Sequence, residues 1–346
     1  MASAKKKSAS GVPKITLAEL NERLADIDSD DADIIPYLAP DHERSAGFRI
    51  ALRPNPQTVE LTPMETARVR AGGMMNWANG VERWRRRQRF DRRLEHAPND
   101  PILVSEGDSW FQFPFFLKDV IDQLNNKYNV LSTCAAGDTV KNMLGPAPEY
   151  LQSLRELKAS GKKVRALLFS GGGNDFADVL AGKGDDPPIL NEFQQGKDAA
   201  WHITTAAYQA KTKFVTDTLK AFLKQVNAEF PGLPIILHGY DYAIPALAQG
   251  DPRNPSWTKL DAWLAGPMKK RKITAANLHA GIMRKLIDDH NANIKAIATG
   301  AQNAHYIDLR GTMNPLTMWA DELHPTDDGF AAVAAKFRVL FTQLGI

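Results

Sequence analysis

The chain predicts an α/β fold, a central parallel sheet of about five strands with helices on both faces, preceded by a mostly helical N-terminal arm. Three observations predict it. From Pro101 onward, short apolar runs alternate with longer segments of helical spacing. Gly-Asp-Ser, Gly-Asp-Thr and Gly-Gly-Gly-Asn-Asp groups follow closely on the first three of those runs, where loops leave a sheet. Before residue 99, by contrast, the chain carries helix-start signals at Thr16 and Thr62.

Taken in order, residues 1–14 are rich in Ala, Ser and Lys, bury too little apolar surface to offset their ordering entropy, and are expected to form a disordered basic tail. Thr16 and Glu19 have the spacing of a capping box, and Leu17, Leu20, Leu24 and Ile27 follow at helical intervals. Thr62-Pro63-Met64-Glu65 starts a second helix that is weakened at Gly72-Gly73 and runs into an arginine-rich stretch. Residues 15–98 thus read as the helical arm and 99–346 as the α/β domain. Within the domain, 102–104, 128–131, 164–169, 234–237 and 305–309 read as buried strands. Helical spacing covers 114–127, 140–160, 199–230, 273–299 and 330–344. Two stretches interrupt the alternation, a Gly-, Asp- and Pro-rich insertion near 177–197 and a second near 243–272 that carries Trp257, Trp263 and Met268. Both are expected to overhang the carboxyl ends of the strands as a lid.

Composition narrows the function. The 346 residues are 43% hydrophobic and 24% charged, which excludes a mainly disordered or fibrous chain. A net charge of +3 is too small to hold a polyphosphate through overall charge, and nucleic acid is not expected as a partner. The one cysteine, Cys134, excludes an intramolecular disulfide framework and a Cys-rich zinc site, and it reads as a small buried side chain. Asp26-x-Asp28-x-Asp30 imitates the start of a calcium loop, but Asp31 occupies the glycine position and Tyr37 the position of the closing glutamate. The remaining histidines lack ligand spacing, so neither a metal nor an organic cofactor is expected. His238, just after the fourth apolar run, reads as structural, though within reach of a substrate. Lys5, Lys6 and Lys7 are not followed by an apolar signal core, and no run of about 18 apolar residues exists. A cytoplasmic location, or export without a classical signal peptide, is expected.

Four blocks carry the chemistry: Gly107-Asp108-Ser109, Gly137 within Ala136-Gly137-Asp138-Thr139, Gly172-Gly173-Asn174-Asp175, and Asp321-Glu322-Leu323-His324-Pro325 before the last helix. In this order they resemble the conserved blocks of the SGNH hydrolases, the GDSL esterase and lipase superfamily. The resemblance covers residues 101–346 and implies a flavodoxin-like three-layer α/β/α fold. The residue types fit one chemistry. A serine hydroxyl needs a neighbouring base, for which His324 is the candidate, and Asp321, three residues earlier, is close enough to fix the imidazole tautomer. The oxyanion formed when Ser109 attacks an acyl carbon needs donors, which the N–H groups of Ser109 and Gly137 and the amide of Asn174 offer. Trp110 departs from the leucine usual in the family, and with Phe111, Phe113, Phe115 and Phe116 it either lines an apolar substrate pocket or packs a helix on the sheet.

The remaining strong signal is the run Arg83, Arg85, Arg86, Arg87, Arg89, Arg92 and Arg93 with Trp84 and Phe90 between them. It reads first as a solvated helix pairing with the acidic stretch 26–33, and otherwise as a contact for nucleic acid, an anionic membrane surface or a protein partner. The expected function is a serine hydrolase of carboxylic esters acting on a small-molecule or lipid substrate through an acyl-enzyme. The alternatives are a phospholipase or lysophospholipase, and a non-catalytic hydrolase-like module that binds through the arginine arm. Glycan deacetylation and thioester hydrolysis stay open within the family.

Overall fold

The computed structural model describes residues 11–43, 45, 50–70 and 77–346. Five strands form one parallel sheet: β1 (Ile102–Gly107), β2 (Asn129–Ser132), β3 (Val164–Ser170), β4 (Ile235–His238) and β5 (Ala304–Ile307). Their spatial order is β2-β1-β3-β4-β5, the flavodoxin-like doubly wound arrangement. Every residue of β1 is buried, because helices cover both faces and its apolar side chains point into two cores at once. One layer contains α3 (Val120–Leu124) packed on α8 (Asp327–Leu344), and another pairs α6 (Ala206–Glu229) with α7 (Ala276–Thr299). Tyr150 of α4 (Glu149–Ala159) meets Phe222 of α6 edge-on at 5.3 Å. Register matters at the carboxyl edge, where Gly107 pairs with Ser170 and so places the turns after β1 and β3 side by side.

Several helices are shorter than their apolar spacing predicts, each for a local reason. The segment expected at 114–127 is helical only as α3: Asp119 caps it by accepting from the N–H groups of Ile121 and Asp122, and Phe115 just before it has a positive φ of 65°. The helix expected over 140–160 divides into Val140–Met143 and α4, since Pro146 and Pro148 lie between them. That over 199–230 divides at Thr205, whose hydroxyl caps α6 by accepting from Tyr208 N–H at 3.0 Å.

The arm is less uniformly helical than its start signals suggest. Besides α1 (Leu17–Ala25) and α2 (Trp77–His96) it contains Ile15–Thr16 paired parallel with Val59–Glu60, and Leu38–Pro40 paired antiparallel with Leu52–Pro54. The Thr16 capping box forms as its spacing requires. The expected tail lies outside the described residues up to position 10, as does the Gly72-Gly73 interruption; Val12 already packs on the arm core. That core gathers Ile15, Leu20, Leu24, Ile34, Leu38 and Val59, and Phe115 reaches into it from the α/β part.

Helix α2 joins the two parts with different faces. Asn79, Glu82, Arg86, Phe90 and Arg93 recur at helical spacing and face the α/β part, whereas Arg85, Arg89 and Arg92 face the arm. Arg85 is fully buried and donates to the carbonyls of Arg23, Leu24, Asp26 and Ser29, so it closes the C-terminal end of α1. Arg92 grips Asp28 with both guanidinium nitrogens and Arg89 donates to Ile27 O. On the opposite face Arg86 donates to Glu82, the Phe111 carbonyl, Asp119 and Asp122. Burial works against its charge, but Asp119, Asp122 and Glu82 outweigh that and raise its pKa well above the usual value. Arg83 pairs with Glu149, Arg87 with Asp91, and Arg93 with Asp100. The pairing with the acidic stretch is therefore real, and the helix is solvated on one side only: Trp84 and Arg87 are exposed, while Glu82, Arg85, Arg86 and Phe90 are bolted into the molecule.

Candidate active site

The site stands beyond the carboxyl ends of β1 and β3. β1 ends on Gly107, where glycine is required because a Cβ would meet the Ser170 Cβ at 2.8 Å and its carbonyl oxygen at 2.9 Å. Asp108 turns inward: it accepts from Ser170 Oγ at 2.8 Å, Trp110 N–H at 3.1 Å and the Tyr240 hydroxyl, and this fixes the turn that presents Ser109. Its charge and the burial of the ring, burial first, push the Tyr240 phenol well above its usual pKa, so Tyr240 stays a neutral donor.

Ser109 Oγ lies 2.7 Å from His324 Nε2, although 215 positions separate the two residues. The other ring nitrogen, Nδ1, lies 3.0 and 2.9 Å from the two carboxylate oxygens of Asp321. Asp321 Oδ1 also accepts the backbone N–H groups of Leu323 and His324, each at 2.8 Å, so the loop before α8 folds around its own carboxylate. Both residues are essentially buried, and Ser109 is only 3% exposed.

The loop after β2 runs on beside β1, with Thr133 N–H donating to Ser105 O and Ala135 N–H to Gly107 O, each at 2.9 Å. Gly137 in that loop has φ 76°, a left-handed conformation that suits glycine. Asn174 enters on α5 (Gly173–Ala177) and donates from Nδ2 to Asp138 O at 2.7 Å, which uses one of the two hydrogens of its amide. Ser109, Asn174 and His324 line a common inner chamber; Gly137 does not line it but immediately precedes Asp138, whose carbonyl Asn174 holds. His238 is buried, stacks on Trp110 at 5.8 Å and does not line the chamber.

Sequence reasoning missed the supports of the acid and base. Trp257 donates its indole N–H to Asp321 Oδ2 at 2.8 Å. Glu322, between the acid and the base, accepts the N–H groups of Ala246, Trp263, Leu264 and Ala265 at 2.7–2.9 Å. Burial raises its pKa against the pull of those four donors. Arg253 donates to Asp321 O at 2.9 Å and to Asp251. The insertion near 243–272 therefore grips the loop that carries Asp321 and His324. Trp257, Trp263 and Met268 are buried, and both Trp263 and Phe113 meet the His324 ring edge-on, at 5.0 and 4.7 Å. The shorter insertion also folds back on itself, with Ile189 N–H donating to Val179 O and Leu190 N–H to Leu180 O. Only the aromatic tint of the second insertion hinted at this, since hydrogen bonds across some sixty positions leave no local pattern.

The aromatic run after Ser109 divides between the two readings open for it. Trp110 lines the chamber, Phe111 is buried in the main core, Phe113 backs His324, and Phe115 packs in the arm. Cys134 is buried, and burial pushes its thiol up, away from nucleophilic use. Among the described residues no group of three or more His, Cys, Asp and Glu side chains is placed to hold a metal, and no helix is long and apolar enough to cross a membrane.

A doubly wound sheet that carries a serine turn after its first strand and an aspartate–histidine loop before its last helix defines the class: a hydrolase of the SGNH fold. The chain belongs to the GDSL-like Lipase/Acylhydrolase family, whose model matches residues 103–332. This makes it an ester-hydrolysing type of enzyme. No curated protein matches it. Among solved structures it is similar to a putative platelet activating factor from Streptococcus pneumonia, at 11% identity over 81% of this chain and 99% of that one, with a TM-score of 0.43. It is also similar to phospholipase A1 from Streptomyces albidoflavus NA297, at 16% identity over 69% of this chain and 99% of the other, TM-score 0.39. An extracellular lipase from Streptomyces rimosus is 14% identical over 69% and 99%, TM-score 0.37.

Proposed function

We propose that the protein cleaves carboxylic esters through an acyl-enzyme on Ser109. The observation that carries this reading is the 2.7 Å contact of Ser109 Oγ with His324 Nε2, backed by Asp321 on the far ring nitrogen. In the proposed cycle His324 takes the Ser109 proton as Oγ attacks the acyl carbon, and returns it to the leaving alkoxide. Asp321 holds the imidazole in the tautomer that leaves Nε2 free to accept, and balances the imidazolium charge. The second Asn174 hydrogen, with the backbone N–H groups of Ser109 and Gly137, would receive the oxyanion. Water then repeats the sequence on the acyl-enzyme.

A lipid substrate drew on two features, the aromatic insertions and the arginine arm. Trp257 and Trp263 are buried and Arg85 and Arg86 are paired inside the molecule, so these side chains do not face a membrane, but a lipid ester stays within this reading and Trp84 and Arg87 are exposed on the helix that carries residues 83–93. A non-catalytic binding module would have no need of an aligned serine, imidazole and carboxylate. The test is hydrolysis of nitrophenyl esters by the wild type and by Ser109→Ala, with fluorophosphonate labelling of both. The wild type should be labelled and active, the variant neither. Equal turnover by the two proteins would remove Ser109 from the mechanism.

A further inference from the structure

Asp321 orients the His324 ring from behind, and Trp257, Arg253 and Glu322 fasten the loop that carries both residues to the insertion near 243–272. None of these contacts reaches Ser109. The reacting pair stands on two separate segments, the turn after β1 and the loop before α8, and the proton can pass only while the two stay within hydrogen-bond reach. Trp110, next to the nucleophile, supplies the link: its indole N–H donates to the carbonyl of Leu323, the residue before His324, at 3.2 Å. Among the described residues this is the one hydrogen bond between 108–113 and 321–325 apart from the reacting pair itself. The two bonds close a ring. Ser109 and Trp110 stand on one side, His324 and Leu323 on the other, joined at 2.7 and 3.2 Å. The N–H of Leu323 is also taken, by Asp321 Oδ1 at 2.8 Å, so one residue is tied both to the acid and to the neighbour of the serine.

We infer that Trp110 is a positioning residue of the reaction: through the Leu323 carbonyl its indole N–H sets the separation of Ser109 Oγ from His324 Nε2. This rests on the serine-esterase reading above. The donor is fixed in direction before substrate arrives. Trp110 is buried, and its backbone N–H is held by Asp108 Oδ1 at 3.1 Å. Its ring stacks on His238 at 5.8 Å, while Tyr240, Phe330 and Trp319 meet it edge-on at 5.1, 5.9 and 6.4 Å. In so close a packing the indole cannot turn away without moving its neighbours, which gives the buried His238 a task as the platform under that ring. A leucine at position 110 would fill part of the same space and offer no donor. In the step served, the Ser109 O–H bond breaks as its proton passes to Nε2, Oγ bonds to the acyl carbon, and the carbonyl electron pair moves to the oxyanion. Trp110 exchanges no proton; it keeps the two reacting atoms in register, where a displacement of about 1 Å can cost on the order of a hundredfold in rate.

The test is Trp110→Phe in the full chain, which keeps an aromatic ring and removes the donor. Fluorophosphonate labelling followed over time gives two quantities, the number of reactive sites and the rate constant per site. The rate constant should fall by about three- to tenfold, the worth of one neutral hydrogen bond, with the number of sites unchanged. On p-nitrophenyl acetate, butyrate and hexanoate kcat/KM, which reports acylation, should fall by that same factor for all three. Trp110→Leu gives the same readouts should the first variant not fold. Fewer sites at an unchanged rate per site would make Trp110 a stabilising residue only, and a loss that changed with acyl length would make it a wall of the chamber; either result would overturn the inference while leaving the esterase reading intact. Wild-type protein that takes no label and turns over no ester would remove both.

Discussion

Replacing Arg86 with Met should destabilise the protein far more than replacing any of its exposed neighbours. The Arg86 side chain is 2% exposed and lies 2.6 Å from Asp119, 2.8 Å from Asp122 and 2.9 Å from Glu82. Methionine fills similar space but leaves the buried Asp119 carboxylate without its cation, Glu82 with only the longer contacts of Arg85 and Arg89, and the Phe111 carbonyl without its donor. Breaking a buried ion pair from one side costs about 3–5 kcal/mol. That is a large share of a total stability on the order of 5–15 kcal/mol. With a urea slope of about 3 kcal/mol per molar for a chain of this size, the midpoint should fall by roughly 1–1.7 M. Arg87→Met is the control: that side chain is 47% exposed, pairs among the described residues with Asp91 alone, and its loss should cost no more than about 0.5 kcal/mol. Urea unfolding followed by tryptophan fluorescence reads both, and equal midpoints for the two variants would refute the view that Arg86 is a structural bolt.

Two more outcomes are expected. Trp257→Phe keeps the ring but removes the donor from Asp321 Oδ2, so kcat on a nitrophenyl ester should fall by about tenfold or more with KM nearly unchanged, the loss expected for one hydrogen bond to a charged group; a raised KM at constant kcat would contradict that role. Desolvation, with His238 adding to it, lowers the buried His290 from 6.5 to about 4, so the native state binds fewer protons there than the unfolded chain: its stabilising contribution is complete above pH 6.5 and is lost as pH falls toward 4, about 2 kcal/mol of it by pH 5. His290→Asn should therefore show a shallower fall in stability between pH 7.5 and 5 than the wild type, and parallel pH profiles would rule this out.

Much of the α/β part was legible because buried parallel strands leave apolar runs and their turns leave glycine. Residues 164–169, for instance, declare a strand that extends only one position further, to Ser170. The order of the four blocks, read together, pointed to Ser109, Asn174, Asp321 and His324 as a group, and the fold assembles them. Two- and three-residue strands such as Ile15–Thr16 and Leu38–Pro40 are too short for any periodicity to register, so the arm read as helix. The division of the 140–160 helix follows from Pro146 and Pro148, a break that the apolar spacing on either side masks. Beyond the aromatic tint of the second insertion, nothing in the sequence marks the grip of Trp257, Arg253 and Glu322 on the acid–base loop. It depends on which of many polar groups meet after folding, and neither composition nor spacing encodes that choice.

Asn79 and Arg86 sit two turns apart on one face of α2. Asn79 Oδ1 accepts from Gln112 Nε2 and from the backbone N–H of Ala136, each at 3.2 Å, while Arg86 holds the carbonyl of Phe111. A segment that lies wholly before the catalytic motifs thus touches both the chain leaving the serine and the residue next to Gly137. Trimming the protein at residue 98 would leave every reacting group in place and take away the scaffolding pole against which two of its loops are braced.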